Sequence, residues 1–190
     1  MDEGLLEGRL AFLKAAEALK DTLRSGHTSQ GRPESTAEHS WRLCLLVLAF
    51  EDQLPGVDML KLLKLCILHD LGEAIHGDIP AMAQVDREAK RLQERQDMLQ
   101  LTAPLDPGLR GQLMSLWEEY DAVSSREATL VKAFDKLETV LQHNQGRNPP
   151  DFDYGFNLDY GRQYTAAHPL TALLRALLDR DTRAKMQSGN

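Results

Sequence analysis

The chain has 190 residues, 42 % hydrophobic and 6 % aromatic, with 13 glycines and 8 prolines. That is enough for one domain with a sizeable core, and it excludes a wholly disordered, collagen-like or Pro-rich chain. Lys and Arg total 22 against 29 Asp and Glu, a formal net charge of −7, which gives no support to a nucleic-acid polymer or an anionic membrane as partner and leaves room only for a local basic pocket.

In chain order, the first predicted helix runs from about Glu3 to Leu23, with Leu6, Leu10, Leu13, Ala16, Leu19 and Leu23 on one stripe. RSGHTSQGRPES breaks that pattern and reads as a polar loop. Ser35 caps the second helix, and Glu38 three positions on completes a capping box. This helix continues to the Pro55-Gly56 pair, and a third occupies about Met59 to Leu71. Helical periodicity resumes from about Val85 to Leu101, Pro107 to Tyr120 and Ser124 to His143, the proline suiting a first helical turn. Gln145 to Ala166 combines turn residues with Phe152, Tyr154, Phe156, Tyr160 and Tyr164, a composition that predicts an ordered loop packed on the body. A last helix covers about His168 to Lys185. No stretch alternates as a strand would. The expectation is an all-α chain, residues 1–190 forming one helical domain of six or seven helices.

Cys44 and Cys66 lie in apolar helical contexts without a CxxC, as buried thiols of a reducing compartment do. The acidic start MDEGLLEGRL lacks a signal peptide's basic region, and no apolar run reaches about 18 residues, so a cytoplasmic location is expected. Trp41 and Trp117 sit in amphipathic helices and read as packing residues.

Polar residues interrupt three apolar faces. His39 shares a face with Leu43, Leu46 and Phe50; His69-Asp70 interrupts KLLKLCILHDLGE; Asp135 falls on the inward side of ATLVKAFDKLETVL. Burying unpaired carboxylates is costly, so two Asp and two His on inward faces need a common explanation. A divalent ion supplies one, and pairing with a cation or a backbone amide supplies others. The separations, 30 residues from His39 to His69 and 65 from Asp70 to Asp135, match no short zinc motif.

The set EHSW at 38–41, HDLGE at 69–73, GD at 77–78 and DKLE at 135–138 resembles the HD-domain metal-dependent phosphohydrolase superfamily. Within it, RPES at 32–35 and LWEEY at 116–120 extend the likeness to the 5'-deoxynucleotidase and HD-domain-containing protein 2 group. The resemblance implies an HD-domain helical bundle with its motifs in 35–140, and the aromatic loop and last helix in 146–186. It implies His39, His69, Asp70 and Asp135 as ligands of one divalent ion, whether Mn, Co, Mg, Zn, Fe or Ni. The implied activity is removal of the 5'-phosphate from (deoxy)nucleoside monophosphates, and a homodimer is implied as the assembly.

Glu73, four residues after His69, is placed to orient or deprotonate the attacking water, and Asp78 matches the family's Gly-Asp element, either as a second proton-transfer group or as a holder of the substrate's sugar. Arg24 resembles the family's phosphate-binding arginine. Here the chain departs from the pattern: His27 stands where the family has a tryptophan beside the sugar, and Leu23 where it has a proline. The resemblance therefore carries phosphatase chemistry to this chain without fixing its preference between deoxyribose and ribose. His76, Arg32, Glu118 and Glu119 are more remote candidates whose ordinary surface roles would account for them.

Two other functions fit the same residues. One is an HD hydrolase of another phosphoester or of a nucleoside triphosphate, which should show a larger basic pocket. The sequence places no dense Lys/Arg cluster near its motifs. The other is a non-catalytic helical interaction protein with a structural metal, which would have no use for Glu73 and Asp78.

Overall fold

The computed structural model describes residues 2–79 and 86–188. Helix α7 (Arg126–Gln145) is buried around most of its circumference, the apolar Leu130, Val131, Phe134, Leu137 and Val140 together with the polar Asp135, Glu138, Thr139 and His143. Its neighbours supply that burial: α7 is packed by α2 (Thr36–Ala49), α3 (Met59–Leu68), α6 (Pro107–Asp121) and α10 (Pro169–Ser188). Two apolar clusters flank the site. One joins α2, α3 and α7 through Leu43, Val47, Leu62, Leu65 and Phe134. The other joins the end of α3 to α5 (Arg87–Leu101) and α6 through Leu68, Leu71, Met98, Met114 and Trp117. Among the described residues, seven helices have ten residues or more: these five, α5 and the N-terminal α1 (Glu3–Ala16).

Local chemistry sets the helix starts. Ser35 and Glu38 form the expected reciprocal box, Ser35 N donating to the Glu38 carboxylate at 2.9 Å and Glu38 N to Ser35 Oγ at 3.3 Å. Asp58 caps α3, and Asp106 with Pro107 starts α6. The predicted third helix ends earlier than expected, at Leu68. A turn then leads into the short α4 (Glu73–His76). Gly72 lets α5 approach that turn closely: a Cβ there would stand 2.8 Å from the Glu94 carbonyl oxygen of α5. The predicted start of α5 at Val85 lies outside the described residues.

Three expectations are corrected. The first helix stops at Ala16, followed by one 3-10 turn over Glu17–Lys20. The supposed polar loop is an antiparallel hairpin of β1 (Leu23–His27) and β2 (Pro33–Ser35), with Leu23 opposite Ser35 and His27 opposite Pro33. Neither strand alternates, and two strands alone are marginal in water. This pair is held from outside, Gln142 Nε2 donating to the His27 carbonyl at 2.5 Å and Arg147 N to that of Thr28 at 3.0 Å. Trp41, expected to pack, is 63 % exposed, whereas Trp117 is buried.

The aromatic segment is ordered, as expected, but contains two short helices, α8 (Gly155–Asp159) and α9 (Arg162–Thr165). Arg175 of α10 secures it. The buried guanidinium donates to the carbonyls of Asn157, Leu158 and Tyr160 at 2.5, 2.8 and 2.6 Å, and to Asp179 at 2.6 Å. Cys66 is buried, Cys44 half-buried, and both are free thiols.

Candidate metal centre

Three helices bring four side chains to one point. His39 comes from the second turn of α2, His69 caps α3 with Asp70 next to it, and Asp135 comes from the middle of α7. His39 Nε2 lies 3.2 Å from Asp135 Oδ1 and 3.8 Å from Asp70 Oδ2, and His69 Nε2 lies 3.0 Å from Asp70 Oδ2. The donor atoms of His39, His69 and Asp70 fall within 4.8 Å of one another. Each imidazole is held by its other nitrogen: His69 Nδ1 donates to the Cys66 carbonyl at 2.8 Å, and His39 Nδ1 to Glu138. Both Nε2 atoms are buried without a hydrogen-bond partner. Two orphaned imidazole nitrogens facing two carboxylates are what a divalent ion needs and what a closed apolar core would not tolerate. The donor set fits one such ion.

The electrostatics agree with that geometry. Burial pushes the Asp70 carboxyl up, but His69 and Arg24 outweigh it and hold the group well below the usual carboxylate range. Burial likewise opposes ionisation of Asp135, and Lys136, His39 and His69 overcome it. Burial and Arg24 press the His39 pKa down, yet Glu138 and Asp135 raise it to about 10.

Arg24 enters from β1, placed by the hairpin. Its Nη1 donates to Asp70 Oδ2 at 3.1 Å, its Nη2 to Thr139 Oγ1 at 3.2 Å, and its Nε stands 3.8 Å from Glu34. Glu73 begins α4, where Thr36 Oγ1 and Lys90 Nζ each lie 3.4 Å from a carboxylate oxygen. Burial, then Asp70 and Asp78, push its carboxyl up to about 9. Asp78 lies 3.8 Å from Lys90 Nζ. Arg24, Asp70, Thr139, Glu73, Asp78 and Lys90, with His27, line one cavity of about 890 Å³ whose walls also include Phe152, Phe156 and Tyr160.

The structure thus brings together all eight residues singled out from sequence, and it sets four others aside. His76 bonds Asp97 at 2.9 Å with its ring largely exposed, and Arg32 serves Glu38 of the α2 cap. Glu118 pairs with Arg95 at 2.8 Å, Glu119 with Lys61 at 2.7 Å.

Sequence reasoning missed the supporting layer. Glu138, three residues after Asp135, was visible only as the last letter of DKLE, and Thr139 and His143 continue the Asp135 face at steps of four. It also missed the cavity's lysines, Lys90, Lys132 and Lys136, none of which lies within a recognised motif apart from Lys136 in DKLE. Lys90 is within 4 Å of three carboxylates and Lys136 lies 2.9 Å from Asp135; Lys132 instead lies over the Tyr120 ring, 3.7 Å from its centre.

Comparison with known proteins gives one consistent answer. The family model described as "HD domain" matches residues 16–173. The chain is 36 % identical over 142 residues to the 5'-deoxynucleotidase HDDC2 of Danio rerio, covering 74 % of this chain and 70 % of that one. It is 35 % identical over 138 residues to the Homo sapiens protein of the same name, covering 72 % and 67 %. A crystal structure titled as a predicted metal-dependent phosphohydrolase, from Magnetospirillum magnetotacticum, superposes with a TM-score of 0.82 at 26 % identity, over 95 % of this chain and 94 % of that one.

Proposed function

The chain belongs to the HD-domain phosphohydrolase family, and from that membership we propose that it is a metal-dependent 5'-nucleotidase, converting (deoxy)nucleoside 5'-monophosphates to nucleoside and phosphate. The observation that carries this reading is the pair of buried, unpartnered Nε2 atoms of His39 and His69 facing Asp70 and Asp135 at a nucleotide-sized cavity. The match over 16–173 supports reading 1–190 as one HD domain.

His39, His69, Asp70 and Asp135 would hold the ion, and their mixed N/O donors suit Mn, Co, Mg, Zn, Fe or Ni. When bound, such an ion screens the phosphoryl charge and makes water a better nucleophile. Arg24, already oriented by Asp70 and Thr139, presents its guanidinium to the substrate phosphate. Glu73, at the start of α4 beside Lys90, is the group to orient or deprotonate the attacking water. Asp78, beside Lys90, is the second proton-transfer group and serves the departing 5'-oxygen. His27 borders the sugar. The pairing of Arg24, Lys90 and Lys136 with carboxylates leaves little positive charge for a longer phosphate chain, which favours a monophosphate.

The protein is further proposed to be a cytoplasmic homodimer. No helix among the described residues is long and apolar enough to cross a membrane. Trp41, Leu45 and Leu48, spaced along one face of α2, are exposed at 63, 45 and 45 % and offer a second copy an apolar surface. Sedimentation tests the dimer; a monomer at micromolar concentration rejects it.

The function is tested by supplying Mn, Co, Mg or Zn to metal-stripped protein with matched deoxyribo- and ribonucleoside 5'-monophosphates. Phosphate release is expected with at least one metal. No release with any of them overturns the assignment.

A further inference from the structure

Helix α7 carries Asp135, Thr139 and His143 at steps of four, so they lie along one face. All three line the cavity. Asp135 stands at the metal centre, Thr139 holds Arg24 Nη2, and His143 follows one turn later, about 12 Å along the helix axis from Asp135. Thr139, which holds Arg24 Nη2, is one turn or about 6 Å from His143 along the axis, the reach between a nucleotide's 5'-phosphate and its sugar.

His143 is built into the wall rather than resting on it. It is 4 % exposed, its Nδ1 is 2.8 Å from Asn157 Oδ1, and its ring packs edge-on against Phe152 with centroids 4.8 Å apart. The ring's opposite edge faces the hairpin at Gly26. Burial holds the imidazole below its ordinary pKa, so the ring is neutral at pH 7. With the Nδ1 proton committed to Asn157, Nε2 is left as an acceptor, and no hydrogen bond among the described residues uses it. An acceptor at this position suits a hydroxyl donor. It does not suit an anion.

Resting on the nucleotidase reading above, we infer that His143 is a specificity-determining residue: its Nε2 accepts a hydrogen bond from a pentose hydroxyl of the substrate while Arg24 holds the 5'-phosphate. His27 lies on the same side of the cavity, with its buried Nδ1 unpartnered. The wall facing the sugar therefore carries hydrogen-bonding imidazoles on both α7 and the hairpin.

The test measures kcat and KM for 5'-monophosphates of one base carrying ribose, 2'-deoxyribose or 2',3'-dideoxyribose, with p-nitrophenyl phosphate as a sugar-free control. His143→Asn keeps an amide toward Asn157 and removes the cavity-facing nitrogen. His143→Gln places an amide where Nε2 was. The parent is expected to show a KM roughly tenfold higher for the sugar lacking the recognised hydroxyl, the scale of one hydrogen bond. His143→Asn should erase that difference with p-nitrophenyl phosphate turnover unchanged, and His143→Gln should restore most of it. The comparison of the three sugars identifies the hydroxyl. An Asn variant with the parent's sugar ranking, or one that loses p-nitrophenyl phosphate turnover in equal measure, overturns the assignment alone. A parent that cleaves p-nitrophenyl phosphate but no nucleotide overturns the nucleotidase reading and this assignment with it.

Discussion

The carboxylate of Glu138 accepts a hydrogen bond from Nδ1 of His39 across 99 residues of sequence, with both side chains fully buried. Arg42 Nε donates to its other oxygen at 2.5 Å, and despite its burial His39 first, then Arg42, hold the carboxyl below its ordinary range. This contact sets the His39 ring so that Nε2 faces Asp70 and Asp135.

Glu138→Gln should therefore weaken the divalent-ion affinity by roughly 10- to 100-fold, the usual effect of removing such a support. Isothermal titration of the metal-stripped variant with Mn checks this. An affinity equal to the parent's would show that Glu138 serves stability alone.

Metal uptake should release protons. His39, with its pKa raised to about 10, carries a proton in the metal-free protein at pH 7 and must lose it from Nε2 to become a ligand. The stability this proton confers on metal-free protein is fully present below the unfolded value of about 6.5 and is lost as pH rises through about 10. Metal affinity runs the other way, rising with pH over the same interval. Titrations in buffers of different ionisation enthalpy should show at least one proton released at pH 7, and zero would contradict the assignment.

Glu73→Gln should separate activity from stability. Because burial raises its carboxyl to about 9, the stability of metal-free protein is fully present below about 4.3 and falls as pH climbs toward 9. The amide has no proton to lose. Its melting temperature at pH 8 should exceed the parent's, while kcat drops by about 10²- to 10⁴-fold. A variant retaining full turnover would remove Glu73 from the chemistry.

Arg175→Met should cost about 3 kcal/mol, because it strips Asp179 of a buried partner and leaves three carbonyls short of a donor. It should also raise KM more than it lowers kcat, since the segment it secures carries Phe156 and Tyr160 of the cavity wall. Thermal melts and steady-state kinetics read both effects, and a variant as stable as the parent rejects the clamp.

The residues legible in the sequence were those whose character opposed their surroundings. His39, His69, Asp70 and Asp135 stand out because each is polar on an apolar helical face, and the Ser35–Glu38 box is legible because its chemistry is confined to four residues. Glu138 escaped notice because one more glutamate on a helix has no local signature; its meaning depends on His39 and Arg42, both on α2. The hairpin escaped for a similar reason. Its pairing is upheld by Gln142 and Arg147, far along the chain, and not by any alternation in Leu23–His27. Trp41 misled in the other direction, since an amphipathic helix was assumed to turn its largest side chain inward.

The anchoring of the hairpin also bears on how the protein comes into being. Arg24 is synthesised well before its partner Thr139, 115 residues later, and His27 of the same strand as far ahead of the Gln142 that holds it. Gly146 tightens the join, for a Cβ there would stand 2.2 Å from the His27 carbonyl oxygen. Contacts of such high sequence separation form late. A nascent chain would thus carry HDLGE complete while Arg24 still lacked its seat against Thr139.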